Sequence, residues 1–208
     1  MADLNYFLNT LRKMPPEFYQ RKVTVVAKEL LGKIFVHRSK GVTFSGIIVE
    51  TEAYDQNDAA SHSYKGISPR NEVMFRTGGC LYVYLIYGMY YCMNAVTGYE
   101  GKGEAVLIRA LEPVEGIETM IKNRFEEQDI AKIKPVNLTN GPGKLCEAFN
   151  ISMKQNGRVL WSDDLYIAES PVFPSKHKIL KTGRVGITKD IHLNRRYYIM
   201  NNKFVSRP

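Results

Sequence analysis

Between Cys80 and Thr97 the chain reads CLYVYLIYGMYYCMNAVT, and no other stretch restricts the possible folds as strongly. Aromatic and branched residues in this density favour extended backbone. Gly88 near the middle predicts that two strands fold back as a hairpin, with Tyr87 and Met89 at or near its tip. Strand candidates that can extend the sheet are Lys33–Arg38, Thr43–Tyr54, Ala105–Ala110, Leu160–Ala168, Arg184–Ile187 and Tyr197–Met200, the first two joined by a turn at Ser39-Lys40-Gly41. Helical spacing is read after Pro15-Pro16-Glu17 as far as Gly32, over Glu112–Phe125, and over Lys144–Phe149, which Asn140-Gly141-Pro142-Gly143 opens. Residues 55–79 are polar and broken by Gly, Pro and Asn, a length that marks a functional or a disordered loop. With no internal repeat or linker, the expectation is a single α+β domain over residues 1–208 with a mostly antiparallel sheet. Residues 1–14 form a flexible or partly helical N-terminus in that reading.

At 208 residues such a domain buries roughly 70% of its unfolded surface and needs no covalent staples. Cys80, Cys92 and Cys146 are odd in number and form no CxxC pair, so the spacing offers neither a disulfide framework nor a thiolate zinc site. No second histidine stands at metal-ligand spacing from His62, so no metal and no cofactor are expected. The N-terminus lacks the apolar stretch of a signal peptide, and no window reaches the roughly 20 apolar residues that span a bilayer. A soluble, cytoplasmic protein is expected, associated with the nucleoid if the source is bacterial. Charge is unevenly spread: residues 171–208 hold nine Lys/Arg against one acid, Asp190, and so account for the whole formal net charge of +8. A localised excess of this kind suits a phosphate-binding face, and it also suits a solvated basic tail.

Three features carry candidate chemistry. The strand ending in Glu50-Thr51-Glu52-Ala53-Tyr54 puts Glu50, Glu52 and Tyr54 on one face by its period of two. Carboxylates crowded in this way supply a general base, or else a solvated strand end. Arg109 sits inside the apolar run LIRAL and, if buried, needs an acidic or phosphate partner, for which Glu52 is a candidate. Finally, alternation lets only about half of Tyr82, Tyr84, Tyr87, Tyr90, Tyr91, Met89 and Met93 face a core. A bulky Tyr-Gly-Met tip fits a wedge that unstacks DNA or a platform that stacks on bases, while a packed sheet edge is the plainer alternative.

Glu50–Tyr54 (ETEAY), AASHS, Ser68-Pro69-Arg70-Asn71, Leu81–Asn94, Leu107–Pro113 (LIRALEP), Gly141–Cys146 (GPGKLC) and Arg184-Val185-Gly186 occur in one order. Together they resemble the alkyladenine (3-methyladenine, methylpurine) DNA glycosylase family, from about residue 15 to the C-terminus. The resemblance implies a curved sheet with flanking helices and a protruding hairpin. It implies a base-excision repair enzyme that flips alkylated or deaminated purines from double-stranded DNA and hydrolyses their N-glycosidic bond, as a monomer. By similarity, Glu52 activates the attacking water, Arg109 helps hold that water, and the carbonyl of Val185 is a third contact to it. Tyr54, His62 and Tyr84 line the pocket for the flipped base, and Asn94 crowds the purine 2-position against normal guanine. Tyr87 is the wedge, and Met74, Met89, Tyr90, Arg70 and Lys144 are DNA contacts.

An N-alkylated purine carries positive charge, stacks well between aromatic rings, and leaves readily once a carboxylate steadies the sugar and deprotonates a water. For neutral hypoxanthine, His62 is expected to supply binding contacts and not the proton. No lysine stands among the assigned pocket residues to form a Schiff base, so no lyase activity is expected. The alternatives are a non-catalytic, structure-specific nucleic-acid-binding protein in which Glu52 only pairs Arg109, and a small-molecule hydrolase working near the 55–79 loop.

Overall fold

A computed structural model describes residues 8, 10–125, 133–170 and 177–207. Eight strands make one antiparallel sheet that curves as a half-barrel: β1 Ile34–Ser39, β2 Val42–Tyr54, β3 Leu81–Ile86, β4 Tyr90–Val96, β5 Ala105–Glu115, β6 Leu165–Ala168, β7 Ile179–Thr182 and β8 Arg196–Ile199. The order is β3-β4-β5-β2-β1-β6, with β8 joining β2 and β7 flanking β8. The long strand β2 is the axis. Its first half pairs with β1, its Glu50–Glu52 end pairs with β8, and β5 runs along its other edge. The α+β expectation is met.

The turns form as the sequence predicts. Lys40 and Gly41 both take positive φ between paired Ser39 and Val42, the geometry that matches strand twist in a tight hairpin. Helices Val23–Glu29 and Pro142–Ala148 pack on β2 and on β4 and β5, closing a core in which Phe35, Ile48, Ile108 and Phe149 are fully buried. At Gly143 an added Cβ would lie 3.1 Å from the Cβ of Tyr90, so the absent side chain lets this helix press on the β3–β4 hairpin close to its turn, where Tyr90 pairs with Ile86. Of the first fourteen residues, 1–7 and 9 lie outside the described set. Leu8 is buried, and the Met14 N–H donates to the Ile167 carbonyl.

Four expectations need correction. The helix read from Pro15-Pro16-Glu17 as far as Gly32 is two short helices, Pro16–Tyr19 and Val23–Glu29, with residues 20–22 between them. The helix read over Glu112–Phe125 begins only at Ile117, because β5 continues to Glu115 opposite Ser45, and Gly116, at positive φ, separates strand from helix. The strand read over Leu160–Ala168 is confined to Leu165–Ala168, since the Ser162 hydroxyl bonds Asp164 and both the N–H and the carbonyl of Leu165 and so builds a local turn. Arg184–Ile187 is no strand. Gly186 takes positive φ there, and the Arg184 side chain and the Val185 N–H both turn inward to acids.

Candidate active site

Glu50 and Glu52 stand on β2 between β5 and β8, each with no exposed side-chain surface. The ladder between β2 and β5 is irregular here. Glu50 pairs with Ala110 and Thr51 with Ile108, so Arg109 is the extra residue of a bulge. Bulges re-aim side chains. This one turns Arg109 onto both acids, with Nε 3.1 Å from Glu50 and Nη1 3.3 Å from Glu52. Burial disfavours the arginine's charge, but Glu52 and Glu50 outweigh that and hold its pKa above the ordinary value.

The two carboxylates have different surroundings. Glu50 is enclosed: Arg196 Nε lies 2.6 Å from Oε1, the Ser206 hydroxyl donates to Oε1 at 2.9 Å, and the Ser206 N–H donates to Oε2 at 2.7 Å. Glu52 is bounded by residues that line a cleft. The Tyr54 hydroxyl donates to Oε2 at 2.8 Å, and the Val185 N–H donates to Oε1 at 2.7 Å. Burial and the nearby Glu52 charge raise the Tyr54 pKa far above its usual value, so the phenol keeps its proton and remains a donor. The Val185 N–H thus helps to fix Glu52, beside the carbonyl that the family resemblance assigns to the attacking water.

The cleft has a volume of about 360 Å³, and Tyr54, Tyr84, His62, Asn94, Arg109 and Val185 all line it. A volume of this size lies in the range, roughly 300–1,000 Å³, of small-ligand pockets. His62 meets Tyr84 edge-on at 4.4 Å between centroids, and its Nδ1 lies 3.0 Å from the Tyr82 hydroxyl. Burial, then the Arg70 charge, lowers the His62 pKa below its ordinary value. The Asn94 amide donates to the Tyr82 carbonyl at 3.1 Å, which fixes its orientation. Burial pushes the Cys92 thiol up to about 11, so this cleft residue is no thiolate nucleophile.

The residues expected to touch DNA separate into groups. Tyr87 is 82% exposed at the hairpin tip, where it and Gly88 take positive φ, and Met89 is 66% exposed. Tyr90 is exposed and reaches the cleft edge. Met74 is only 2% exposed, so its side chain lines the cleft from within the fold and does not stand on the outer surface. Arg70 and Lys144 are exposed and lie outside the cleft; Lys144 Nζ is 2.9 Å from Asn140.

The basic C-terminal region is redistributed. Arg184 pairs with Asp58, Arg195 with Asp55 and Asp58, and Arg196 with Glu50. Three of its cations therefore neutralise buried or half-buried acids, while Lys178, Lys181, Lys189, Lys203 and Arg207 are exposed. Sequence reading gave no role to Asp58 or Asn71. The Asn71 amide donates to the His62 and Gly66 carbonyls at 2.8 and 3.0 Å and so holds the His62 loop. Its place in the SPRN motif was the available signal. Pro142, Gly143 and Ile187 also border the cleft and were not singled out for it. Among the described residues, no cluster of His, Cys, Asp and Glu could hold a metal ion, and no helix is long and apolar enough to cross a membrane.

Comparison with known proteins identifies a family. The sequence model of the family described as methylpurine-DNA glycosylase matches residues 17–203. A protein of Bacillus cytotoxicus, provisionally named 3-methyladenine DNA glycosylase, is 46% identical over 203 residues, covering 94% of this chain and 100% of its own length. Proteins with the same provisional name are 47% identical over 197 residues in Methanoculleus marisnigri and 48% identical over 203 residues in Clostridium acetobutylicum. These two alignments each cover 93% of this chain, with 98% and 97% of the relatives' lengths.

Proposed function

The chain belongs to the methylpurine-DNA glycosylase family, and from that premise we propose that it releases damaged purines, alkylated or deaminated, from duplex DNA by hydrolysis of the N-glycosidic bond. The observation that carries the proposal is the state of Glu52. A carboxylate offers about four lone-pair positions. Tyr54 and Arg109 occupy two on Oε2 and Val185 occupies one on Oε1, which leaves one on Oε1 for a water. The donors that fix the carboxylate all line the cleft.

In this reading the flipped nucleotide enters the cleft and stacks against Tyr54, Tyr84 and His62. Base extrusion costs a few kcal/mol, least where damage has weakened pairing. Tyr87 fills the gap left in the duplex, while Met89 and Tyr90 contact the flanking steps. As the bond between the sugar C1′ and the purine nitrogen breaks, its electron pair leaves with the base. The water oxygen bonds C1′ and its proton passes to Glu52 Oε1. The negative carboxylate also steadies the oxocarbenium-like sugar. An alkylated purine departs neutral because it was cationic when bound. With Nδ1 engaged by Tyr82, His62 presents Nε2 to the base edge, and Asn94 opposes an exocyclic amine at the 2-position. The product is an abasic site for base excision repair by a cytoplasmic, monomeric enzyme without lyase chemistry.

The test uses end-labelled duplexes with one 7-methylguanine, one hypoxanthine or only normal bases, treated with alkali after incubation. Wild type is expected to yield a cut at the lesion, and Glu52→Gln to lose about 10²–10⁴-fold of that rate while still binding the duplex. Tight, steeply salt-dependent binding with no cut on any lesion would move the protein to the binding-module reading.

A further inference from the structure

Arg184 lies directly behind Tyr54. Its guanidinium carbon is 4.6 Å from the ring centroid, and its side chain has no exposed surface. Tyr54 reaches the cleft and Arg184 does not. One face of the ring therefore meets a buried cation, and the other borders the space where a base would stack. Ring faces attract cations, but cations on opposite faces of one ring repel each other. An uncompensated charge on Arg184 would thus work against a cationic purine in the cleft.

Asp58 cancels that charge. It takes both ends of the guanidinium, with Nη2 3.0 Å from Oδ1 and Nη1 on Oδ2, and is itself fully buried. Its Oδ1 also accepts the Ala60 N–H at 3.0 Å, which holds the carboxylate in place. The other charges nearby are already matched. Arg195, 3.5 Å from Asp58, is held by Asp55 at 2.8 Å, and Glu52, beside the Tyr54 hydroxyl, is held by Arg109. Removing Asp58 would leave the excess charge immediately behind the stacking ring.

We infer that Asp58 determines charge selectivity: by neutralising Arg184 behind Tyr54, it allows the cleft to prefer a cationic purine over a neutral one of the same shape. The inference rests on the proposed glycosylase reading. Asp58 touches no substrate in this account; it acts through Arg184.

The experiment measures binding of two duplexes. One carries 2′-fluoro-7-methylguanosine, cationic and slowed in cleavage by the fluorine. The other carries 7-methyl-7-deazaguanosine, its neutral isostere. A stacked base about 9 Å from the guanidinium, adding a ring separation of roughly 4.5 Å, implies an effect of about twentyfold at an effective dielectric of about 20. Asp58→Asn is expected to lower the cationic-to-neutral affinity ratio about twentyfold. Arg184→Gln is expected to raise it. A purely structural pair would weaken both duplexes alike in both variants. Each variant has its own predicted sign, so one that folds decides the matter if the other does not. Unchanged ratios, or shifts in the same direction, overturn the inference. Release of 7-methylguanine from methylated DNA by wild type is measured in parallel: no release sinks the glycosylase reading itself, whereas release with unmoved ratios sinks only the role of Asp58.

Discussion

The floor of the cleft and the tip of the hairpin solve opposite problems. On the floor, Glu50, Glu52, Asp55 and Asp58 meet Arg109, Arg184, Arg195 and Arg196, and every charge has a partner of opposite sign. At the tip, Tyr87 and Met89 are large, apolar and exposed, on backbone that an aromatic residue rarely adopts. Chemistry at a sugar carbon needs atoms held to a fraction of an ångström, which an over-determined network provides. Entering a base stack needs a group with no prior engagement. In the proposed function, order is concentrated where bonds change, and strain where DNA is met.

The strongest way to break this contrast is to unbalance the floor. Glu50→Ala leaves Arg109 and Arg196 buried without their shared partner, and a cost of about 3–5 kcal/mol is expected in urea unfolding. A loss below about 1 kcal/mol would show that the network does not hold the floor together. The tip should respond in the opposite direction. Tyr87→Gly relieves the left-handed strain, so stability is expected to rise by roughly 1 kcal/mol while affinity for lesion-bearing duplex falls. Lower stability together with unchanged affinity would remove the basis for calling the tip strained and functional.

The smallest effect sharpens the border between the regions. The His62 pKa lies below the ordinary value of 6.5 in the folded protein. Above pH 6.5 the imidazole is therefore mostly neutral in both folded and unfolded chains. As pH falls through 6.5 the unfolded chain takes up the proton first, so His62 removes stability on the acid side. At still lower pH an imidazolium appears in the cleft beside Arg70, and binding of a cationic purine should weaken by a few-fold, an amount in line with a partly screened charge pair. His62→Gln should flatten that acid limb. A limb that persists in the variant would assign it to another group.

Local signals and distant pairings were not equally readable. The alternation and the single glycine of Cys80–Thr97 announced the hairpin, and Glu50–Tyr54 announced a face of two acids and a tyrosine, because both depend on neighbours two residues apart. Val114 misled, since helical spacing from Val114 to Ile121 continued across Gly116, and only the partnership of β5 with β2 shows that the strand runs to Glu115. The basic C-terminal region was hardest to place. Arg184 and Arg196 find Asp58 and Glu50 across more than a hundred residues, and no local pattern distinguishes an arginine bound for a buried acid from one left in water. The bulge at Arg109 was equally hidden, because a mismatch between two strands belongs to neither sequence alone.

The missing side chain at Gly143 has a mechanical consequence. In the proposed function a wedge that pushes into a duplex is pushed back, and the load on Tyr87 reaches Tyr90 at the very start of β4. There the ring-bearing Cβ already rests against the backbone at Gly143, at the start of a helix seated on β4 and β5. The hairpin is braced close to its tip, beside the Ile86–Tyr90 pair, so thrust there passes through the helix to the sheet instead of being lost in bending.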